Sequence, residues 1–452
     1  MSSPQPFSHR RALKAGFASF VGTSIEFYDF YVFATAAALV FGPLFFPEVE
    51  PGLGVLASFA TYATGFLVRP LGGIIFGHIG DRIGRRQSLV LTLVLMGVAT
   101  MLVGFLPTFE AIGFAAPILL VALRMLQGLA VGGEWGGAVL MAVENAPEKY
   151  KSFYGSFPQL GNPMGALLAS GVFALLTLGG QEFMLDWGWR IPFLLSAVLI
   201  AIGFWVRMTV EETPVFQEAQ ARRSVLDTPL ELPAKLAFKR NWRAILIGTG
   251  LIAVSSGGYY IMTTFMTAYA TGDSVGLSPT LVLNAMTFAS FWHLVSTLPL
   301  GIAADRWGRK RVMAIGLVVS VAFVIPTFLV LGHATWLLFA LLSIVRVTMN
   351  ATWAPLAAIM SQMYEADSRQ TSLSIAYSAG SAIWGGLSPL IATGLFLATG
   401  SIWSVIAFYI LLTAVALVSL KLAPEIRDDV LEPEGAEPGS SPSQAPASQE
   451  SR

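Results

Sequence analysis

Apolar stretches of about 20 residues or more, separated by short polar ones, recur along almost the whole chain, and each is long enough to cross roughly 30 Å of hydrocarbon as a helix. After a polar, basic start with Arg10, Arg11 and Lys14, the pattern predicts twelve such helices: 16–41, 54–77, 88–106, 115–142, 153–177, 189–208, 243–270, 280–302, 312–331, 335–361, 372–396 and 401–421. Composition removes the alternative of buried helices in a soluble protein. The chain is 55% hydrophobic and 12% charged, against about 25% charged in soluble domains. The fold class expected is therefore an all-α membrane protein with the lipid bilayer as its surroundings. A net charge of zero offers no basic field for nucleic acid. The lack of cysteine excludes disulfides, thiolate metal sites and cysteine nucleophiles. The first apolar segment carries Glu26 and Asp29 and has no small-residue cleavage site, so it is expected to be retained as a helix.

Charge placement sets the expected topology. Nearly all of the 27 lysines and arginines fall at the N-terminus, in alternate loops, in the central segment or in the C-terminal tail. Cytoplasmic loops carry such an excess, so both termini are expected inside. The exceptions are Arg69, Arg124 and Arg346, within apolar segments, and Arg190 at an outer edge. The one long polar stretch between helices, 209–242, divides the chain into an N-terminal six-helix bundle (1–208), a cytoplasmic linker (209–242) and a C-terminal six-helix bundle (243–421). Residues 422–452 are rich in Pro, Glu, Ser, Gly, Ala and Gln, lack a heptad pattern, and are expected to form a disordered cytoplasmic tail.

A short charged turn is repeated in the two halves. Gly77-His78-Ile79-Gly80-Asp81-Arg82-Ile83-Gly84-Arg85-Arg86 returns as Gly301-Ile302-Ala303-Ala304-Asp305-Arg306-Trp307-Gly308-Arg309. Arg124 and Arg346, lone arginines in apolar segments, are separated by nearly the same interval as Asp81 and Asp305. Two homologous halves explain both coincidences.

Twelve helices in two sixes, with this turn after helix 2 and its echo after helix 8, resemble the major facilitator superfamily across nearly the whole chain. Glu26-Phe27-Tyr28-Asp29-Phe30, Arg69-Pro70-Leu71-Gly72-Gly73, Arg124 to Ala138, and Glu211-Glu212-Thr213-Pro214-Val215-Phe216 are similar to its metabolite:proton symporter branch. The resemblance implies two pseudo-symmetric six-helix bundles. It also implies a secondary transporter of the shikimate, alpha-ketoglutarate or proline/betaine kind, in a bacterial inner membrane, working as a monomer. By the same resemblance the Asp81 turn latches the bundles together on the cytoplasmic side. Gly77, Asp81, Arg82, Gly84, Arg85 and Arg86, with Asp305, Arg306, Gly308 and Arg309, form the gating motif, and Glu144 and Glu212 are expected partners for Arg82, Arg85 or Arg86.

The charged residues within helices are the candidates for chemistry. An ionised carboxylate at membrane depth costs several kcal/mol, so such residues mark ion or proton pathways. Glu26 and Asp29, three apart on one helix face, and Glu134 are the proton-coupling candidates. Arg124, Gln127, Val131 and Glu134 form a polar stripe on helix 4. The fork of Arg124 suits a substrate carboxylate, and coupling to Glu26, Asp29 or Glu134 suits it equally. Arg69 is expected to form a structural charge pair with the helix 1 carboxylates. Arg346 and Asn350 share a face with Trp353 on helix 10 and are candidates for binding an anion. Gln159 and Asn162 on helix 5 and Tyr259 and Tyr260 on helix 7 complete the substrate-binding candidates. The run Gly257-Gly258-Tyr259-Tyr260 resembles an interrupted helix with a loosened backbone. His293 is expected to be a hydrogen-bonded packing residue, and the Gly132-Gly133 and Gly136-Gly137 pairs to be close-packing surfaces.

The function expected is a proton-coupled symporter importing a small organic solute, a carboxylate such as a shikimate-like acid or dicarboxylate. The proton is the coupling ion, and no cofactor or metal is expected. A zwitterionic osmolyte symporter, a proton antiporter exporting drugs or cations, and a substrate sensor are the alternatives. No nucleotide loop, metal cluster or activated nucleophile supports an enzyme.

Overall fold

The structure is a computed structural model that describes residues 9–49, 51–213, 215–218, 220–221, 233–272 and 274–424. Twelve long helical runs follow one another: α1 His9–Leu39, α2 Pro51–Arg82, α3 Arg85–Phe105, α4 Ala115–Glu144, α5 Glu148–Thr177, α6 Arg190–Met208, α7 Trp242–Thr271, α8 Pro279–Trp307, α9 Arg309–Leu329, α10 Thr335–Ser361, α11 Ala366–Thr399 and α12 Ile402–Leu422. Ten of them are long and apolar enough to cross a membrane. The other two, α1 and α2, run for 31 and 32 residues. No strand occurs among the described residues.

The helices pack as two repeated sets. In the first half α2 and α3 lie on α4, and α3 lies on α6; in the second α8 and α9 lie on α10, and α9 lies on α12. The halves meet mainly through α2 against α11 and α8 against α5, two contacts related by the same six-helix shift. Close approach of α2 to α4 depends on small residues, as the glycine pairs of α4 suggest. A Cβ on Gly132 would run into the Arg69 carbonyl, and one on Gly136 into the Ser374 side chain of α11.

Two expectations change at helix ends. The charged motif is not a loop: α2 continues to Arg82 and α8 to Trp307, beyond the 77 and 302 expected from hydropathy. At 1.5 Å per residue α2 is about 48 Å long, well over the hydrocarbon thickness, so its last turns carry charge without leaving the helix. The chain breaks only at Gly84 (φ 132°, ψ 151°) and Gly308 (φ 96°, ψ 127°), backbone conformations that side chains resist. This accounts for the second glycine of the repeated motif. Within the expected linker, Pro233–Arg240 forms a short helix. Residues 222–232 of that segment and residues 425–452 of the expected disordered tail lie outside the described residues.

Two helices, α7 and α11, are deformed where they line the central space. α7 opens into wide π-type turns at Ala253–Gly258 and Ile261–Phe265, and α11 does so at Ser381–Gly386. Such turns free backbone groups and frequently mark functional sites. The loosened backbone expected around Tyr259 and Tyr260 is present.

Candidate functional site

The repeated turns hold the halves together on one face of the molecule. Asp81, at the end of α2, accepts hydrogen bonds from the backbone N–H groups of Gln370 (3.0 Å) and Thr371 (2.8 Å) and from the Thr371 hydroxyl (2.8 Å). Asp305, at the end of α8, accepts from the N–H groups of Ser152 (2.9 Å) and Phe153 (2.8 Å). Each aspartate thus sits near the start of a helix in the opposite half, where free N–H groups and the helix dipole favour a negative charge. Arg85 reaches both Asp81 (3.1 Å) and Glu144 (3.5 Å), and Arg369 also pairs with Glu144 (3.2 Å). Arg309 pairs with Asp305 (3.5 Å) and Glu148 (3.2 Å).

Glu212 accepts from the backbone N–H of Arg86 (3.1 Å), and the Thr213 hydroxyl donates to Glu144 (2.6 Å). Gly77 lies directly against the Thr371 backbone, which leaves no room for a larger side chain, and Gly80 lies against the Gln370 side-chain amide. Arg82 and Arg306 are exposed. Of the arginines proposed to meet Glu144, the one that does is Arg85.

Further in, aromatic rings separate this latch from a central cavity. Trp135 of α4 stacks on Tyr377 of α11 with ring centres 4.0 Å apart, and Trp353 of α10 lies beside both. Gln159 accepts from the Trp135 indole (3.2 Å) and donates to the Trp353 carbonyl (3.4 Å), so it braces these rings from below and does not line the cavity. The cavity has a volume of about 560 Å³, including its opening to solvent, and draws residues from both halves, among them Phe27, Arg69, Asn162, Tyr259, Tyr260 and Arg346. On the far side from the latch the halves touch through the hydroxyls of Tyr31 and Tyr259 (2.9 Å), which both approach Asn162 Oδ1.

Two arginines face this space from opposite halves. Arg69 donates to the Ser381 hydroxyl (3.1 Å) and lies over the Phe30 and Phe66 rings, and its Nε has no hydrogen-bond partner. Arg346 lies over the Tyr259 ring and makes only long contacts, 3.5 Å to the Tyr259 hydroxyl and 3.4 Å to Ser290; its Nη1 has no partner. Among the described residues no carboxylate comes within 4.0 Å of either guanidinium. The charge pair expected of Arg69 is therefore replaced by a hydroxyl and two ring faces: Asp29 is held by Thr100 and Ser196, and Glu26 stays beyond ion-pair range.

Arg124 and Asn350, both candidates for contacting substrate, are placed outside the cavity lining. Arg124 is packed within the first half over Phe30, Phe33 and Tyr62, donating to Gln127 (3.1 Å). From there a buried chain runs from Gln127 to Thr100 (2.7 Å) and from Thr100 to Asp29 (3.0 Å), whose other oxygen accepts from Ser196 (2.6 Å). Asn350 ties α10 to α8, donating to the His293 carbonyl, Ser296 and Thr297, each at 2.9 Å. Neighbouring helices cover both side chains, α1 and α2 over Arg124 and α8 over Asn350.

The three intramembrane acids have different surroundings. Glu134 is paired with Arg207 and accepts from Thr92 (2.5 Å). Asp29 ends the chain from Arg124. Glu26 is 5% exposed, makes no hydrogen bond, and lies within the electrostatic reach of Arg69, Arg207 and Glu134. Arg207, at the end of the sixth predicted span (189–208) and not singled out from the sequence, is buried. The signal was available: Ser196, Gly203 and Arg207 follow i, i+7, i+11 on one face of α6, and all three are buried. His293 departs from expectation too. It lines the cavity, and neither ring nitrogen has a hydrogen-bond partner.

The comparisons with known proteins agree with this architecture. The family model for sugar (and other) transporters matches residues 15–433. The chain belongs to that transporter family. Over 421 residues this transporter is 38% identical to a shikimate transporter of Escherichia coli (strain K12), covering 92% of this chain and 95% of that one. It is also 38% identical over 423 residues to the inner membrane metabolite transport protein YhjE of the same organism, covering 92% and 94%. A solved structure of the major facilitator superfamily proton:xylose symporter XylE superposes with a TM-score of 0.71 at 16% identity, covering 93% of this chain and 98% of that one. The fold is that of the major facilitator superfamily. The protein is a multi-pass membrane transporter of a solute, not an enzyme.

Proposed function

We propose that this transporter is a proton-coupled symporter that imports a small organic carboxylate by alternating access. The observation that carries the reading is the pair Arg69 and Arg346, two buried guanidinium groups from opposite halves that face one cavity without a carboxylate in ion-pair range. A carboxylate in that space satisfies the planar donor forks and bridges the halves. The orphaned acid Glu26 supports the coupling. When ionised it offsets part of the charge of Arg69; when protonated it leaves that charge to be neutralised by an anion, so proton and solute enter together. Thus the rocking halves carry a neutralised centre. No cofactor is required.

The similarity to a shikimate transporter favours an organic acid over a zwitterionic osmolyte, and the surplus of cationic groups disfavours an exporter of cations. The charged-turn face is assigned to the cytoplasm of a bacterial inner membrane, with both termini on that side, because basic residues gather there. The latch on that face then makes this conformation the one that loads from outside.

The test is transport by purified protein in liposomes at two pH values, with carboxylates, betaine, proline, sugars and lipophilic cations offered in turn. Inward current triggered by a carboxylate and dependent on the pH gradient is expected. Silence for every acid, with proton release triggered by cations, overturns the reading in favour of an antiporter.

A further inference from the structure

His293 stands in the cavity wall with two unused ring nitrogens. It is 5% exposed, lies close to Arg346, and is held by its backbone, whose carbonyl accepts from Asn350 and Thr297. The Asn350 side chain lies beside the ring; its NH2 group is spent on α8, its Oδ1 is left open towards the ring, and neither ring nitrogen has a partner in hydrogen-bonding geometry among the described residues. Buried polar groups are ordinarily satisfied, and one left open at the wall of a cavity points to something that enters it.

The chemistry of the ring restricts what that is. In its neutral form imidazole presents one N–H donor and one bare nitrogen acceptor. A carboxylate offers acceptors only and meets half of this requirement. An alcohol, whose oxygen accepts and whose proton is donated, complements a neutral imidazole through either nitrogen. Beside it, Arg346 holds an unpartnered Nη1 suited to a carboxylate oxygen. Across the cavity floor Trp353 and Tyr377, backed by Trp135, offer ring surface to a carbon skeleton.

We infer that His293 is the specificity-determining residue for a hydroxyl group, and that the solute class is hydroxylated carboxylic acids, with the carboxylate at Arg346 and a hydroxyl at His293. This rests on the carboxylate reading above and narrows it. A site built to bond a hydroxyl rejects the analogue that lacks one far more strongly than an apolar pocket distinguishes a methylene, because the buried polar group is left unpaired.

The experiment is calorimetric binding to the purified full chain with matched probes: shikimate against 1-cyclohexenecarboxylate, malate against succinate, and 3-hydroxybutyrate against butyrate. For the wild type, at least one hydroxy acid is expected to bind tenfold or more tighter than its partner. His293→Phe is expected to weaken that hydroxy acid about tenfold, leaving the deoxy partner unchanged, whereas His293→Gln, which keeps a donor and an acceptor, retains most of the discrimination. Wild-type binding of all pairs within threefold overturns the inference and leaves the ring to water; this holds even if His293→Phe does not fold. Equal weakening of both members of a pair by His293→Phe also overturns it, assigning the ring to packing. Binding of betaine or sugars with no carboxylate bound overturns the carboxylate reading itself, and this inference with it.

Discussion

Replacing Asp81 by Asn isolates the latch, because the side chain keeps its size while losing its charge and one of its two acceptor oxygens. In the latched conformation Asp81 takes three hydrogen bonds from the start of α11, at 2.8 to 3.0 Å. Hydrogen bonds to a charged group contribute about 1.5–3 kcal/mol each. Two of the three go to one oxygen, so Asn keeps the pair from Thr371 as neutral bonds and turns an NH2 group towards the Gln370 N–H: one bond is lost and two are weakened, about 2.5 kcal/mol at the low end of that range. At 1.4 kcal/mol per tenfold this moves the equilibrium about 60-fold away from the latched state. Asp305 takes two such bonds from α5, one on each oxygen, so Asp305→Asn loses one and weakens one, about 2 kcal/mol or near 30-fold.

The chain has no cysteine, so a pair introduced at the exposed positions Gln87 and Arg311, one on each half, accepts spin labels selectively. Distances measured by double electron–electron resonance in lipid nanodiscs should show a longer component growing strongly in Asp81→Asn and less in Asp305→Asn. An unchanged distribution in Asp81→Asn, or a larger effect at Asp305, refutes the latch as drawn.

Three further outcomes follow from particular contacts. Gly84→Ala places a side chain in a backbone region costing about 1–3 kcal/mol and against the Glu212 carboxylate, so thermal unfolding should fall by several degrees, which scanning fluorimetry reads. Glu134→Gln leaves Arg207 buried without its counter-charge, a loss of about 3–5 kcal/mol, and Arg207→Met in the same chain should restore much of the melting temperature. Arg346→Lys exchanges a planar fork for a point charge; carboxylate binding should weaken tenfold or more with the melting temperature unchanged, as calorimetry and fluorimetry together would show.

Helix number and repeat were legible because each rests on a one-dimensional signal: apolar length for the spans, and Asp81 with Asp305 for the two halves. Helix ends were less so, since the charged last turns of α2 and α8 lie past the hydrocarbon and hydropathy stops at its edge. At the centre, periodicity told that Arg69, Arg124 and Arg346 point inward, but each bundle has an interior of its own besides the space between bundles. Arg124 faces the former and Arg69 the latter. That distinction depends on which helix is the neighbour, which spacing along one helix does not contain. Arg207 was obscured for another reason: a basic residue at a helix end fits a topological anchor, and only its partner Glu134, 73 positions away in sequence, marks it as interior.

The central claim, a carboxylate drawn in with a proton through the centre that holds Glu26, is tested most directly by solute uptake in liposomes containing either the wild type or Glu26→Gln. Each protein is measured under an imposed pH gradient and again in counterflow without one. The account predicts that the variant loses accumulation driven by the gradient and keeps solute exchange. Accumulation equal to the wild type in Glu26→Gln would contradict it.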